Sequence, residues 1–203
     1  MELLAATPIV YGSIFHFNIN VKNDYIKLFE KESFFKIKEY EQCNISNDNF
    51  IVDKYPELKN KFSECIKHLM NNIFFYKTDF FITRSWLTKT EPQGSSEGHV
   101  HSNAWLSGVY YPEYDEGHQI RFYNDVPEIF GTDPKEYNIW NSLNWTFTPK
   151  KNSLIIFSSR LRHKILTNNS LKTRYSLAFN ILPNGTFGSG DSEVAFNFKE
   201  RKQ

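Results

Sequence analysis

An antiparallel β-barrel or jelly roll, mainly β with flanking helices, is the fold this sequence predicts. Three observations predict it. From residue 81 to residue 182 apolar side chains recur with period two in short runs. Each run stops at turn chemistry: Pro112, Asn124-Asp125, Pro149 to Asn152, Asn168-Asn169-Ser170 and Pro183-Asn184-Gly185. Aromatic residues make up 17% of the chain, 19 Phe and 11 Tyr among them, a load that suits a sheet core more than a helical bundle.

The 203 residues suffice for one core, so a single domain is expected over 1–203. Its parts are an N-terminal strand with buttressing helices (about 1–80), the barrel core (about 81–185) and a Gly/Ser-rich, then charged, mobile tail (186–203). A net charge of +1 neither demands nor excludes nucleic acid. Cys43 and Cys65 lack metal spacing and read as free thiols, at best one optional bridge, which points to a reducing compartment. Glu2 stands where a signal peptide needs bases, and no run approaches membrane-spanning length. The expectation is a soluble cytosolic protein, with exposed aromatics that would support a homodimer.

Taken in order, Ile9 to Ile19 is β-branched and aromatic and predicts a first strand. Asn23 is placed to cap a short helix running to about Glu32. Ser33 to about Lys54 is polar and mixed, and the sequence supports no assignment there. Pro56 to Asn72 predicts the best helix: Pro56 fits the first turn, and Leu58, Phe62, Cys65, Ile66, Leu69 and Ile73 form one apolar stripe. His16 and His68 read as structural. The period then changes to two, with Phe81, Thr83, Ser85 and Leu87 opposing Ile82, Arg84 and Trp86 on a long strand. Strands follow at Trp105–Tyr111, Gln119–Tyr123, Trp145–Thr148, Ser153–Phe157, His163–Thr167 and Thr173–Leu182. Residues 126–144 form a long insertion of the kind that serves as a lid or substrate loop.

His99 and His101 are two apart, so on a strand both imidazoles point to one face and can share a metal ion. A third ligand must come from elsewhere, and His163 opens a strand that a barrel can bring beside them. Each histidine alone is an ordinary polar residue; the ordered set is the signal. Arg174 and Ser176 share one face of the last strong strand. A buried arginine is costly unless paired, and either an acidic residue on another strand or a bound carboxylate would pair it. Arg160 and Arg162 lie between strands, exposed but able to meet an anionic substrate. His118 reads as part of a turn.

His99-Val-His101, Ser107-Gly108-Val109-Tyr110-Tyr111, Phe157-Ser-Ser159-Arg-Leu-Arg-His163 and Arg174-Tyr-Ser176-Leu-Ala-Phe179-Asn180 resemble, in that order, a group of 2-oxoglutarate–Fe(II) oxygenases of microbes and phages. That group is similar to the prolyl hydroxylases. The resemblance runs from about Trp86 to Leu182. It implies a double-stranded β-helix, cupin-like, with Fe(II) at its mouth. His99, His101 and His163 would be the metal ligands and catalytic residues, and Arg174 and Ser176 would hold the distal carboxylate of 2-oxoglutarate. Tyr110 would stand against that carboxylate, with Asn103 and Asn180 around the site. The implied activity is a dioxygenase that consumes O2 and 2-oxoglutarate and hydroxylates a substrate. That substrate is open among a protein side chain, nucleic acid and a small molecule. The pattern departs from two histidines and a carboxylate. Either His101 is the middle ligand, or Glu97, Glu113 or Asp115 supplies the acid. Two rivals stand beside it: a three-histidine metalloenzyme that does not use 2-oxoglutarate, zinc being a credible metal, and a non-catalytic jelly-roll binding module.

Overall fold

The computed structural model describes residues 2–9, 12–37, 43–124, 133–138 and 141–199. Part of the expected loop at 126–144, residues 126–132 and 139–140, therefore lies outside the described residues, as do two residues of the expected first strand.

The strands run β1 (Glu2–Ile9), β2 (Gly12–Asn18), β3 (Phe34–Lys36), β4 (Cys43–Ser46), β5 (Asp79–Thr90), β6 (Leu106–Tyr111), β7 (Ile120–Tyr123), β8 (Asn144–Phe147), β9 (Ser153–Ser158), β10 (His163–Ile165), β11 (Arg174–Phe187) and β12 (Val194–Phe196). Two helices join them, α1 (Tyr25–Phe29) and α2 (Pro56–His68). The major sheet has the order β1-β2-β9-β6-β11-β5-β4-β3, with β12 added to the end of β11. The minor sheet has the order β10-β7-β8. All the pairings within both sheets are antiparallel. This is the mainly-β, jelly-roll fold with flanking helices that the period-two runs predict. Among the described residues no helix is long and apolar enough to cross a membrane.

The alternation along β11 decides where the site lies. Tyr175, Leu177, Phe179 and Ile181 point one way, into the main core. Arg174, Ser176 and Ala178 point the other way and line a cavity between the sheets. Helix α2 closes the core side. Its stripe of Leu58, Phe62, Cys65 and Ile66 is fully buried, and Phe62 stacks on Phe179 with centroids 4.8 Å apart. Pro56 begins it, as expected. Its end differs. A π-turn over Leu69–Phe74 follows, and the wider turn rotates Ile73 off the stripe to 40% exposure. Asn23 does not cap α1. Asp24 holds that position without a side-chain bond, and the Asn23 amide donates instead to Glu57 Oε2 at 2.8 Å.

Two further stretches hold structure that the sequence did not assign. The Ser33–Lys54 stretch contains β3, β4 and a 3-10 turn at Ile51–Lys54. The tail is not a plain coil as far as residue 199, because β11 continues to Phe187 and turns back through β12. Phe187 meets Phe196 at 5.4 Å, and Phe81 stacks on Phe198 at 5.3 Å. Both cysteines are buried thiols, and Cys43 Sγ lies 3.5 Å from the Thr90 hydroxyl.

Gly108 on β6 is required by packing. A Cβ there would stand 2.2 Å from Phe179 Cζ. Phe179 is pinned by Phe62 and cannot withdraw without disturbing α2. Gly108→Ala is expected to cost about 1–3 kcal/mol through overpacking, read as a fall of about 3–10 °C in Tm. An unchanged Tm would mean that the Phe179 ring has room to move.

Candidate metal centre and anion pocket

His99 and His163 face each other across a short antiparallel bridge. The His99 N–H donates to His163 O at 2.9 Å, and the His163 N–H returns to His99 O at 3.0 Å. The extended chain then carries His101 to the same side, its N–H donating to Ser159 O at 2.8 Å. Two backbone pairings between the segments before β6 and β10 thus set the triad. Ring centroids lie 4.6 Å apart for His99 and His163, 5.1 Å for His99 and His101, and 5.2 Å for His101 and His163.

Each ring turns its Nδ1 to an oxygen. His99 Nδ1 is 3.0 Å from Glu97 O, His163 Nδ1 is 2.9 Å from Leu161 O, and His101 Nδ1 is 2.6 Å from Asn180 Oδ1. Carbonyl oxygens only accept, so Nδ1 carries the proton in all three rings and each Nε2 keeps a lone pair for a metal. One ligand atom from each histidine lies within 4.8 Å of the others. An ion about 2.1 Å from each nitrogen would draw the three rings closer together. Among the described residues no carboxylate joins this group. Asp115 is held in a turn by the Gly117 N–H and the Ser170 hydroxyl, so it is not a hidden ligand. Burial pushes the His163 imidazole down to about 3, with His99 and His101 adding to the shift. Burial also lowers His101, against the pull of its Asn180 bond. The His101 and His163 rings are therefore poised neutral, as metal ligation requires.

The triad opens into a cavity of about 410 Å³ that also holds Arg174, Ser176, Trp86 and Thr88. Arg174 is 2% exposed. Its Nη1 donates to Gln119 O at 3.0 Å, while Nε and Nη2 are buried without a partner. Among the described residues no carboxylate forms an ion pair with it. The guanidinium lies 5.0 Å from the centre of the Tyr111 ring, and the buried Tyr111 hydroxyl is also unpartnered. Ser176 is 2% exposed on the same face of β11. Unpaired N–H groups next to a phenol and a hydroxyl are the chemistry of a carboxylate site. The donor set fits a metal ion on one side and an organic anion on the other.

Tyr110 is a correction. Its hydroxyl donates to Asn152 Oδ1 at 2.9 Å, and its ring packs against Tyr25 and Phe62 on the core side. Adjacent strand residues point to opposite faces, so Tyr111 is the tyrosine that reaches the cavity. Asn103 is exposed and lines no part of the cavity. Asn180 is at the site, but on His101. Arg160 and Arg162 are exposed, Arg162 lying over the Tyr123 ring. His118 closes the turn at Glu116–Gly117, its N–H donating to Asp115 O at 3.0 Å; it is buried, and its imidazole is pushed down by burial and by the nearby Arg174 charge. Sequence reasoning missed the wall built by Ile37, Cys43 and Ile45. It also missed Trp86, whose ring sits 5.6 Å from that of His101 and whose parity with Thr88 on β5 could have flagged it.

Residues 84–180 match a family model described as "Putative 2OG-Fe(II) oxygenase". No curated protein matches the chain in sequence. Among solved structures, the α-ketoglutarate-dependent epimerase SnoN from nogalamycin biosynthesis is similar, with a TM-score of 0.61, 9% identity, and 86% of this chain and 80% of that one covered. HygX from Streptomyces hygroscopicus, with nickel, 2-oxoglutarate and hygromycin B bound, gives 0.58 at 6% identity, covering 84% and 82%. A Trichoplax adhaerens prolyl hydroxylase bound to a hypoxia inducible factor peptide fragment gives 0.55 at 12%, covering 83% and 82%. At such identities the likeness is one of fold.

Proposed function

We propose that the chain is an Fe(II)- and 2-oxoglutarate-dependent dioxygenase that hydroxylates a substrate, a reading supported by the match of residues 84–180 to the oxygenase family model. The observation that carries the proposal is the pairing, in one cavity, of three ligand-ready Nε2 atoms with a buried arginine whose Nε and Nη2 lack partners.

In this reading His99, His101 and His163 hold iron. Arg174 and Ser176, joined by Tyr111, hold the distal carboxylate of 2-oxoglutarate. Iron and 2-oxoglutarate together supply, when bound, the oxidation of a C–H bond by O2, with the co-substrate leaving as succinate and carbon dioxide. The chain's own task is to bind, orient and exclude water. Arg174 fixes one end of the co-substrate by a charge-assisted fork. Trp86, Ile45 and Val109 line the remaining space with apolar surface, which keeps bulk water from the oxidising centre. Three neutral rings leave the full charge of a divalent ion, and Arg174 adds one more positive charge. A dianionic co-substrate suits that balance.

An anaerobic titration of metal-free protein with Fe(II) and 2-oxoglutarate tests the proposal. A visible charge-transfer band that needs both components is the expected result. A metal that binds while 2-oxoglutarate produces no band would move the assignment to a three-histidine enzyme without that co-substrate. Failure to bind any metal would leave a non-catalytic jelly roll.

A further inference from the structure

We propose that Asn180, held in place by Ser107 and Ser159, is a positioning residue that keeps His101 in its ligating tautomer and orientation. The assignment rests on the metal site proposed above and names what that site needs beyond its three rings.

A carboxylate in the middle ligand position could bind through either oxygen. An imidazole there binds through Nε2 only while the proton sits on Nδ1 and the ring plane is fixed. His99 and His163 receive this from backbone, each from the carbonyl two residues earlier. His101 has no such bond. Its Nδ1 reaches instead to a side chain 79 positions away, Asn180 Oδ1, at 2.6 Å.

An amide can face the ring either way, and the two ways have opposite consequences. With its oxygen toward the ring, Asn180 accepts and Nε2 stays open. Turned over, its NH2 would donate to Nδ1, move the ring proton to Nε2 and close the ligand. Two hydroxyls are placed to support the first arrangement, Ser107 Oγ lying 3.1 Å from His101 Nδ1 as well. Ser107 Oγ donates to Asn180 Oδ1 at 2.9 Å, and Ser107 Oγ lies 2.8 Å from Ser159 Oγ. Ser159 can then donate to Ser107 while Ser107 donates to the amide oxygen. Both serines are at most 1% exposed, so water does not compete. Ser159 acts twice, because its carbonyl also accepts the His101 N–H. From the other side, the Thr83 hydroxyl donates to the Asn180 backbone carbonyl at 3.3 Å. Asn180 therefore ties the middle ligand to the strand that carries Arg174 and Ser176.

The test is Co(II) binding to the 203-residue chain without 2-oxoglutarate, followed by visible absorption and calorimetry. Asn180→Ala is expected to weaken Co(II) about 10–100-fold, as loss of a ligand's hydrogen-bond partner does. Asn180→Asp can only accept, and is expected to restore the affinity and to shift the Co(II) band. In a His101→Ala background, Asn180→Ala should have no further effect. Wild-type affinity in Asn180→Ala, or full additivity with His101→Ala, overturns the assignment. Should Asn180→Ala not fold, Ser107→Ala takes its place, with weakened Co(II) binding supporting the assignment and unchanged binding overturning it. A wild-type chain that binds no Co(II) overturns the metal site itself, a failure distinct from intact binding that ignores Asn180.

Discussion

Replacing Arg174 with methionine is expected to raise the 2-oxoglutarate concentration for half-saturation about 30- to 5,000-fold, while leaving the ligand-free protein about as stable as before. The two effects come from the same atoms. In the free protein Nε and Nη2 are buried with no acceptor, and each such orphan costs about 1–3 kcal/mol. Methionine removes both orphans and keeps most of the packing against Tyr111. It loses one bond, from Nη1 to Gln119 O. These terms roughly offset. With a carboxylate present the balance reverses, because truncating one partner of a buried charge pair costs about 2–5 kcal/mol, which sets the stated range. Calorimetric titration of 2-oxoglutarate into the metal-loaded protein gives the first quantity, and urea unfolding of the metal-free protein gives the second. Unchanged 2-oxoglutarate affinity would remove Arg174 from the co-substrate site. A loss of more than about 3 kcal/mol of stability in the free protein would mean that the guanidinium serves the fold rather than a ligand.

How far this site could be read from the sequence depends on what each residue's position leaves undetermined. Arg174, Ser176 and Asn180 share parity on one long strand, so a period-two reading suffices to put them on one face. His99 and His101 share it in the same way. The choice between Tyr110 and Tyr111 is different. A shift of one residue swaps faces, and the sequence offers two tyrosines side by side. What settles it is register. Tyr110 pairs with Leu177, whose face belongs to the core under α2. The β3–β4 wall was illegible for another reason. Phe34–Lys36 and Cys43–Ser46 are three and four residues long, too short to show a period, and they become strands only by pairing with β5 through β4. Likewise the Gly/Ser composition after Gly185 suggests a coil. Yet Gly188 and Gly190 adopt positive φ, turning the chain so that Phe196 and Phe198 return to the sheet. The Asn180 amide was visible as a polar residue at the right parity, but its role on His101 needed a contact spanning 79 residues.

His163→Leu should move two measurements in opposite directions: metal binding falls by more than about a thousandfold, and the metal-free protein becomes more resistant to acid. His163 is 5% exposed between the rings of Phe122 and Phe157. It is the most buried of the three proposed ligands, and leucine fills a similar apolar space. Burial takes its imidazole from the ordinary 6.5 down to about 3. Because the folded value lies below the unfolded one, the unfolded chain binds the proton first as the pH falls. The stability associated with His163 is complete above about pH 6.5 and is lost progressively between there and about pH 3. At the acid end of that window the loss amounts to about 3–5 kcal/mol, treated as an upper bound. Leucine has no proton to take up, so an acid-unfolding profile of the metal-free variant should shift to lower pH. The same change leaves His99 and His101 as the two imidazoles remaining at the proposed metal site, and the charge-transfer band with Fe(II) and 2-oxoglutarate should vanish. A variant that still bound metal as the parent does would exclude His163 as a ligand. A variant no more acid-resistant than the parent would mean that the buried ring is not what limits stability below pH 6.5. Together the two readouts separate what His163 does for a metal from what its burial costs the fold.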